Sequence, residues 1–501
     1  MIYYCRKIDI FRGEHFMHIY ECIQESDILF YSGDSNMIIN NLSINSNNVT
    51  SDSLFIAVEG EKRDGHDYIL SAIKNGARAI LINEKKSDIF STLKNITILT
   101  SKNTRKAAAF LSQKLYDFPA RKVSLIGVTG TNGKTSIASI SYYMMLDYYG
   151  NTAFIGTLGE FINDKKVDIN KTTVTTPDSI EFAKFLQTCV ENDIKNVVME
   201  VSSIALKLNR LGYCELDIGL FTNISLEHMA EHKTFEDYLA SKKLLFSITK
   251  HSIINIDDYY GKEIAEELDN CSTYSIENTN ATVYASNIMY RNNCACFNVH
   301  YGAKEARVSI PIPAKYAVSN ALAIISICLA KGMEFHRIIP LLEKHYYVAG
   351  RYDEIVIRDN IRVIIDYAHN PAAYENLLSS IVENREYRKL ITVFGCHGNF
   401  DYPTRPKMGA IADTYSDYII ITSDDPHEED SISIIEGIKK GINKKTDVTA
   451  VIPSRRQAIK RAIEMAESND IIVITGKGHE TTQDVNGIRI PHNDKEVVLE
   501  Q

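Results

Sequence analysis

Val123-Ser124-Leu125-Ile126-Gly127-Val128-Thr129-Gly130-Thr131-Asn132-Gly133-Lys134-Thr135-Ser136 reads as an apolar strand, a glycine turn and the start of a helix. Gly127, Gly130 and Gly133 recur every third position, and their missing side chains let backbone N–H groups close on a phosphate. Lys134 adds a mobile positive charge, and Thr135 a hydroxyl placed where Mg²⁺ would bridge phosphate oxygens. A helix from Ser136 to about Tyr149, ended by Gly150, aims its positive dipole end at the ligand. A strict phosphate loop has glycine at position 128, where this chain has Val128, so the match is to the variant G-x-T-G-T-N-G-K-T. The expectation is a nucleoside triphosphate site built by Gly130, Thr131, Asn132, Gly133, Lys134 and Thr135.

Around that centre, 501 residues suit three domains, each large enough for its own core. The nine cysteines are scattered, and only Cys294 and Cys296 are close, with no second pair to complete a zinc site. Reduced thiols in a cytoplasm are expected. A net charge of −9 without a long basic run argues against nucleic acid. Arg6, Lys7, Asp9 and Glu14 interrupt the first apolar positions, so neither a signal peptide nor a membrane span is expected, and a monomer is the simplest assembly.

The chain is α/β throughout, and three domains are expected at 1–121, 122–346 and 347–501. The first is small, with a polar Asn36 to Asn48 loop, a strand at Ser53 to Val58, a turn and helix cap at Asp64 to Asp67, and an amphipathic helix from Asn103 to Tyr116. In the central domain the phosphate-loop strand is joined by Asn196 to Glu200, Ile218 to Thr222 and Ser252 to Asn255, which alternate with helical stretches. That pattern implies a doubly wound, mostly parallel sheet. The third domain repeats it with strands at 362–366, 390–394, 418–422 and 471–475, a second Rossmann-like layer. Ligands gather at the carboxyl ends of such strands, where Glu200 and Glu227-His228 stand as a carboxylate pair and an imidazole suited to a divalent cation.

The chain resembles the Mur ligase family of ATP-dependent amide-forming enzymes, and within it the tripeptide synthetases, which add the third amino acid to UDP-N-acetylmuramoyl-L-alanyl-D-glutamate. Beyond the phosphate loop the resemblance rests on Thr175-Thr176-Pro177-Asp178, Met199-Glu200-Val201-Ser202-Ser203, Phe221-Thr222-Asn223, Tyr238 with Lys242, and Asn320-Ala321-Leu322-Ala323. It continues in Gly350-Arg351, Asp366-Tyr367-Ala368-His369, Arg405-Pro406 and Gly476-Lys477-Gly478-His479-Glu480. The resemblance implies a route in which ATP phosphorylates a substrate carboxylate and an amino group then displaces the phosphate. It implies Mg²⁺ at Thr135, a second ion at Glu200 and His228, and a carbamylated Lys242 supporting that ion, with Lys134 acting on the transferring phosphate. Asn320 and His369 are implied at adenine, Asp366 at the ribose and Arg351 at the nucleotide. Ser46, Thr175, Thr176, Ser202 and Arg210 are implied at the sugar nucleotide and its peptide.

The chain also departs from the family pattern. The family Asp-Ser-Arg reads Asn45-Ser46-Asn47, Ile204 replaces a histidine, Leu208 a glutamine, and the Gly-Gly-Asp-Arg-Asp-x-x-Lys-Arg-Pro segment reads His397-Gly398-Asn399-Phe400-Asp401-Tyr402-Pro403-Thr404-Arg405-Pro406. Where enzymes adding meso-diaminopimelate carry Asp-Asn-Pro-Arg, this chain has Asp424-Asp425-Pro426-His427, followed by Glu428, Glu429 and Asp430. A histidine among carboxylates is a poor receptor for an anion and a better surround for an ammonium group. L-lysine or another diamino acid is therefore expected over meso-diaminopimelate, with Arg405 on its α-carboxylate and Asp424, Asp425, His427, Gly476 and Glu480 around it. Glu428 to Asp430 have a plainer use as a helix cap. The alternatives are a divergent paralogue acting on another carboxylate, and a paralogue that binds nucleotide or precursor without turnover.

Overall fold

The computed structural model describes residues 15–23, 27–60, 63–227, 231–291, 293–399, 402–443 and 449–501. His228, Phe400 and the polar positions Arg6 to Glu14 lie outside the described residues. Two compact units divide the chain, one of Met1–Thr129, Met145–Leu220 and Ala240–Ser252, the other of Gly130–Met144, Phe221–Leu239 and Ile253–Gln501.

Besides a two-stranded pairing of Met17–His18 with Ile38–Ile39, the first unit holds one five-stranded sheet and part of a larger one. The five-stranded sheet has the strand order Ile28–Ser32, Thr97–Ser101, Ala79–Asn83, Ser53–Ile56, Asn41–Ser43, and all neighbours run parallel except the first pair. Alternation decides its faces: Leu54, Leu81 and Leu99 pack on Ala107, Phe110 and Leu111 of the helix Thr104–Leu115, while Phe55, Ile80 and Ile98 pack on Ile69 and Ala72. Each such side chain contributes about 1.5–3 kcal/mol by leaving water. Asn103 starts the helix by accepting from Lys106 N. The polar Asn36 to Asn48 segment is more ordered than a loop. Ile38–Ile39 and Asn41–Ser43 are short strands, because Ile39 and Leu42 reach the core, and Asn45 caps the turn Ser46–Asn48.

In the second sheet of this unit Asn196–Glu200 lies parallel between Thr152–Gly156 and Ser124–Thr129. All five residues of Asn196–Glu200 are buried, as its unbroken apolar run requires of a central strand. An antiparallel edge, Gly159–Ile162 and Lys165–Val167, completes one side and was not singled out from sequence.

The second unit takes up the chain at Gly130, and the helix begins at Lys134, two residues before the expected start. Three antiparallel strands, Val283–Arg291, Cys294–Tyr301 and Lys304–Ile310, form a meander missed in the sequence. The six-stranded sheet has the order Asp353–Val356, Arg362–Asp366, Ile471–Thr475, Leu390–Phe394, Tyr418–Ile421, Thr449–Val451. Its inner strands are the four expected ones, all parallel. Tyr374, Leu377, Met408 and Ile434 cover one face, and Ala458, Ile459 and Val497 the other, giving the doubly wound layer. Among the described residues no helix is long and apolar enough to cross a membrane.

Candidate active site

The glycine turn of the second unit is braced from the next strand end. At Gly130 (φ 147°) a Cβ would stand 1.8 Å from Thr222 Oγ1, so only glycine fits. Thr222 Oγ1 donates to Asn132 O (2.7 Å), Asn223 Oδ1 accepts from Asn132 N (3.0 Å), and Asn223 O accepts from Thr131 N (2.9 Å). Thr131 Oγ1 lies 3.0 Å from Tyr238 Oη and accepts from Ser225 N. Thr131 thereby acts as a strut inside the loop. Lys134 Nζ donates to Gly130 O (2.9 Å) and Thr131 O (2.8 Å), and Arg351 Nη2 donates to Thr135 Oγ1 (3.3 Å). Two cations and a hydroxyl therefore stand at the glycine turn. Thr222 and Asn223 were quoted in the sequence without a role; their place at a strand end beside the loop was the available signal.

A cavity of about 300 Å³ opens beside the turn, within the usual range for a small-molecule site. Asn132, Gly133, Asn320, Arg351, Asp366 and His369 line it together, although they come from segments more than two hundred residues apart. Ile140, Tyr316, Tyr346 and Leu377 supply an apolar wall that the sequence did not mark. Asp366 accepts from Tyr352 N and Ala368 N, both at 2.7 Å, which fixes its carboxylate at the strand end with lone pairs remaining for hydroxyl donors. Burial raises its pKa despite the Arg351 charge. His369 is held at both ring nitrogens, Nδ1 2.8 Å from Tyr367 O and Nε2 3.0 Å from Glu227 Oε1. Burial opposes the imidazolium, but Glu227 outweighs it and raises the His369 pKa. Glu227 also accepts from Asn370 Nδ2 (3.1 Å), so one carboxylate oxygen joins His369 to Asn370.

The expected amino-acid residues form a second group in the same unit, and they are bound chiefly to one another. Lys477 Nζ donates to both Asp425 oxygens at 2.8 Å and pairs with Glu480 Oε2; Tyr367 Oη donates to Glu480 Oε1 (3.0 Å). Lys477 holds the Asp425 carboxyl below its ordinary pKa against the effect of burial. Arg405 makes a two-pronged bond to Glu429 at 2.7 Å and donates to His397 O. Asp430 caps the helix Ser431–Lys439 by accepting from Ser433 N, as the plainer reading had it. Asp424 is 1 % exposed, 3.8 Å from His397 Nε2 and 4.0 Å from Arg455 Nη1, and Arg455 itself is paired with Asp494. His427 Nδ1 faces Asp484 at 3.4 Å. Gly476 N donates to Asp366 O, tying this loop to the cavity strand.

In the first unit Glu200 is 1 % exposed and its carboxylate is held by Thr157, N to Oε1 at 2.8 Å and Oγ1 to Oε2 at 3.2 Å. Thr157 Oγ1 is also 3.3 Å from Thr175 Oγ1. Thr157 was absent from the sequence reading, and only its position just past the strand Thr152–Gly156 could have suggested it. Thr176 Oγ1 donates to Glu200 O and accepts from Ser202 N, Ser202 Oγ caps a short helix at Ala205 N, and Arg210 Nη1 donates to Thr176 O (3.0 Å). Lys242 is 1 % exposed. Ser46 is buried, and its carbonyl accepts from Asn75 Nδ2 (2.8 Å). A carboxylate and a hydroxyl are hard oxygen donors of the kind Mg²⁺ takes, and each unit offers one by itself, Glu200 in the first and Thr135 in the second.

Three family models match the chain: the Mur ligase family catalytic domain over residues 38–111, the Mur ligase middle domain over 128–328 and the Mur ligase glutamate ligase domain over 350–478. The UDP-N-acetylmuramoyl-L-alanyl-D-glutamate–2,6-diaminopimelate ligase 2 of Clostridium acetobutylicum is 39 % identical over 97 % of this chain and 99 % of its own. The corresponding ligase of Clostridioides difficile is 38 % identical, with the same coverage. A solved structure of a ligase of that name superposes with a TM-score of 0.67 at 26 % identity, over 97 % of this chain and 98 % of its own. The MurF ligase of Thermotoga maritima in complex with ADP shares the fold at 17 % identity and a TM-score of 0.59, over 92 % of this chain and 96 % of its own.

Proposed function

The chain belongs to the Mur ligase family of ATP-dependent ligases, and on that premise we propose that it joins an amino acid to UDP-N-acetylmuramoyl-L-alanyl-D-glutamate in peptidoglycan precursor synthesis. One observation carries the reading. The phosphate turn, Asn320, Arg351, Asp366 and His369 line one cavity of nucleoside size. Asp366 would accept from ribose hydroxyls, His369 and Asn320 would meet the base, and Lys134 and Arg351 would stabilise charge on the transferring phosphoryl group. The terminal phosphoryl passes to the substrate carboxylate, releasing ADP; the incoming amine attacks the acyl phosphate, loses a proton and expels inorganic phosphate. Mg²⁺ at Thr135 and at Glu200 with His228 would neutralise the two anionic reactants. Lys242, buried, would react with CO₂ as a free amine, release a proton and become a carbamate acting as an acid ligand.

For the amino acid, the loop favours L-lysine or another diamino acid without a second carboxylate. Asp424 is a buried carboxylate, and His427 stands where an arginine would pair with an anion. The surround is less acidic than the sequence suggested, since Asp425 and Glu480 share Lys477 and Glu429 holds Arg405. The names of the relatives favour a second reading, meso-diaminopimelate. Phosphate release with UDP-muramoyl-dipeptide and a panel of amino acids tests both. A higher kcat/KM for lysine supports the first, and a higher value for meso-diaminopimelate the second. No release with any amino acid would leave a paralogue acting on another carboxylate or one that binds without turnover.

A further inference from the structure

Tyr367 belongs at once to the nucleotide cavity and to the loop Gly476 to Glu480. It follows Asp366 at the end of a strand that pairs in parallel with Ile471–Thr475, so the two strand ends place Tyr367 beside the loop. The Arg351 guanidinium lies 4.3 Å from its ring centroid, and Arg351 and Tyr367 both line the cavity. The backbone of Gly478 lies against the ring: at φ +53° a Cβ would stand 2.9 Å from Tyr367 Cβ. Across that contact the Tyr367 hydroxyl reaches Glu480 Oε1 at 3.0 Å. The other oxygen, Glu480 Oε2, is held by Lys477, which is also committed to Asp425.

We propose that Tyr367 is a positioning residue for amino-acid recognition: its hydroxyl fixes the Glu480 carboxylate while its ring seats the Arg351 guanidinium of the nucleotide cavity. The proposal rests on the assignments above of Glu480 to the amino acid and Arg351 to ATP. Two donors from different elements define the plane of the carboxylate. Without the hydroxyl, Glu480 is left to a lysine that Asp425 also claims, and the carboxylate swings about that one contact. Burial pushes the Tyr367 hydroxyl well above its ordinary pKa, so it remains a donor across the working pH range.

Steady-state kinetics of Tyr367→Phe, Glu480→Gln and the double variant test this in the full chain, using UDP-muramoyl-dipeptide and the amino acid chosen by the panel. Phenylalanine keeps the ring against Arg351 and Gly478 and removes only the donor. Tyr367→Phe is expected to raise KM for the amino acid about tenfold, the loss of one hydrogen bond to a charged group, with KM for ATP within about twofold. Glu480→Gln raises the same KM, and adding Tyr367→Phe to it has little further effect. An unchanged amino-acid KM in Tyr367→Phe beside a raised one in Glu480→Gln overturns the positioning role alone. An unchanged KM in Glu480→Gln overturns the assignment of Glu480, and the proposal with it. Equal rises in both KM values mean that the ring and hydroxyl only pack the loop, which also overturns it.

Discussion

The cavity proposed for the nucleotide and the loops proposed for the amino acid sit in one unit and are built differently. At the cavity, apart from His369 with Glu227, the polar groups are held by backbone or by one another without a carboxylate partner: Asp366 by two N–H groups, Thr135 beside Arg351, Lys134 by loop carbonyls. In the loops, acid and base are matched, Lys477 with Asp425 and Glu480, and Arg405 with Glu429. A site meant for the triphosphate common to a family can be specified by a backbone cradle. A site that selects among amino acids is set by which charges its own residues have already neutralised.

Removing a charge should therefore act differently in the two places. Lys477→Met leaves Asp425 and Glu480 without their cation in a setting where the lysine is 0 % exposed. About 3–5 kcal/mol of stability should go, read as a lower denaturant midpoint, as for other buried pairs with one partner removed. An unchanged midpoint would mean that the pair is no structural feature. Lys134→Ala should cost about 10²-fold or more in turnover and leave the midpoint near wild type, because its loop bonds are to carbonyls that can turn to water. Near-normal turnover would remove the phosphate-loop assignment. Exchange of His427→Arg should raise the ratio of kcat/KM for meso-diaminopimelate over lysine by about tenfold, through one charge-assisted bond. A ratio that does not move places the selection elsewhere in the loops.

The smallest effect expected is on pH. The His369 pKa is raised in the fold above its ordinary 6.5, so its pairing with Glu227 stabilises fully below that value and is lost as pH rises through the folded pKa. The difference in unfolding midpoint between wild type and His369→Gln should shrink on going from about pH 5 to about pH 9. A difference that grows with pH would show the imidazole bonding to Glu227 as a neutral donor.

Legibility followed the same division. The strand, turn and helix at 123–149 and the four inner strands of the last sheet were readable because buried parallel strands are unbroken apolar runs, and because glycine spacing fixes a turn. The meander at 283–310 was not, since Val283–Arg291 is only partly buried and a register shift between Ser286 and Met289 breaks its alternation. Individual strand-end residues such as Asp366 and His369 could be placed in one cavity by their motifs. Thr157 could not, because its importance comes from a neighbouring strand bringing Glu200 to it. For the same reason Asp424 to Asp430 read as one acidic cluster, whereas in the fold Asp430 is a cap and Glu429 and Asp425 belong to Arg405 and Lys477.

The most direct test of an ATP-driven ligase of the dipeptide carboxylate is the fate of that carboxylate's own oxygen. With the acceptor carboxylate labelled in heavy oxygen, turnover with ATP and amino acid should move one labelled oxygen into the released phosphate for each amide formed. Phosphate released without label, alongside amide product, would contradict the acyl-phosphate route, and release without any amide would contradict the ligase reading of this site.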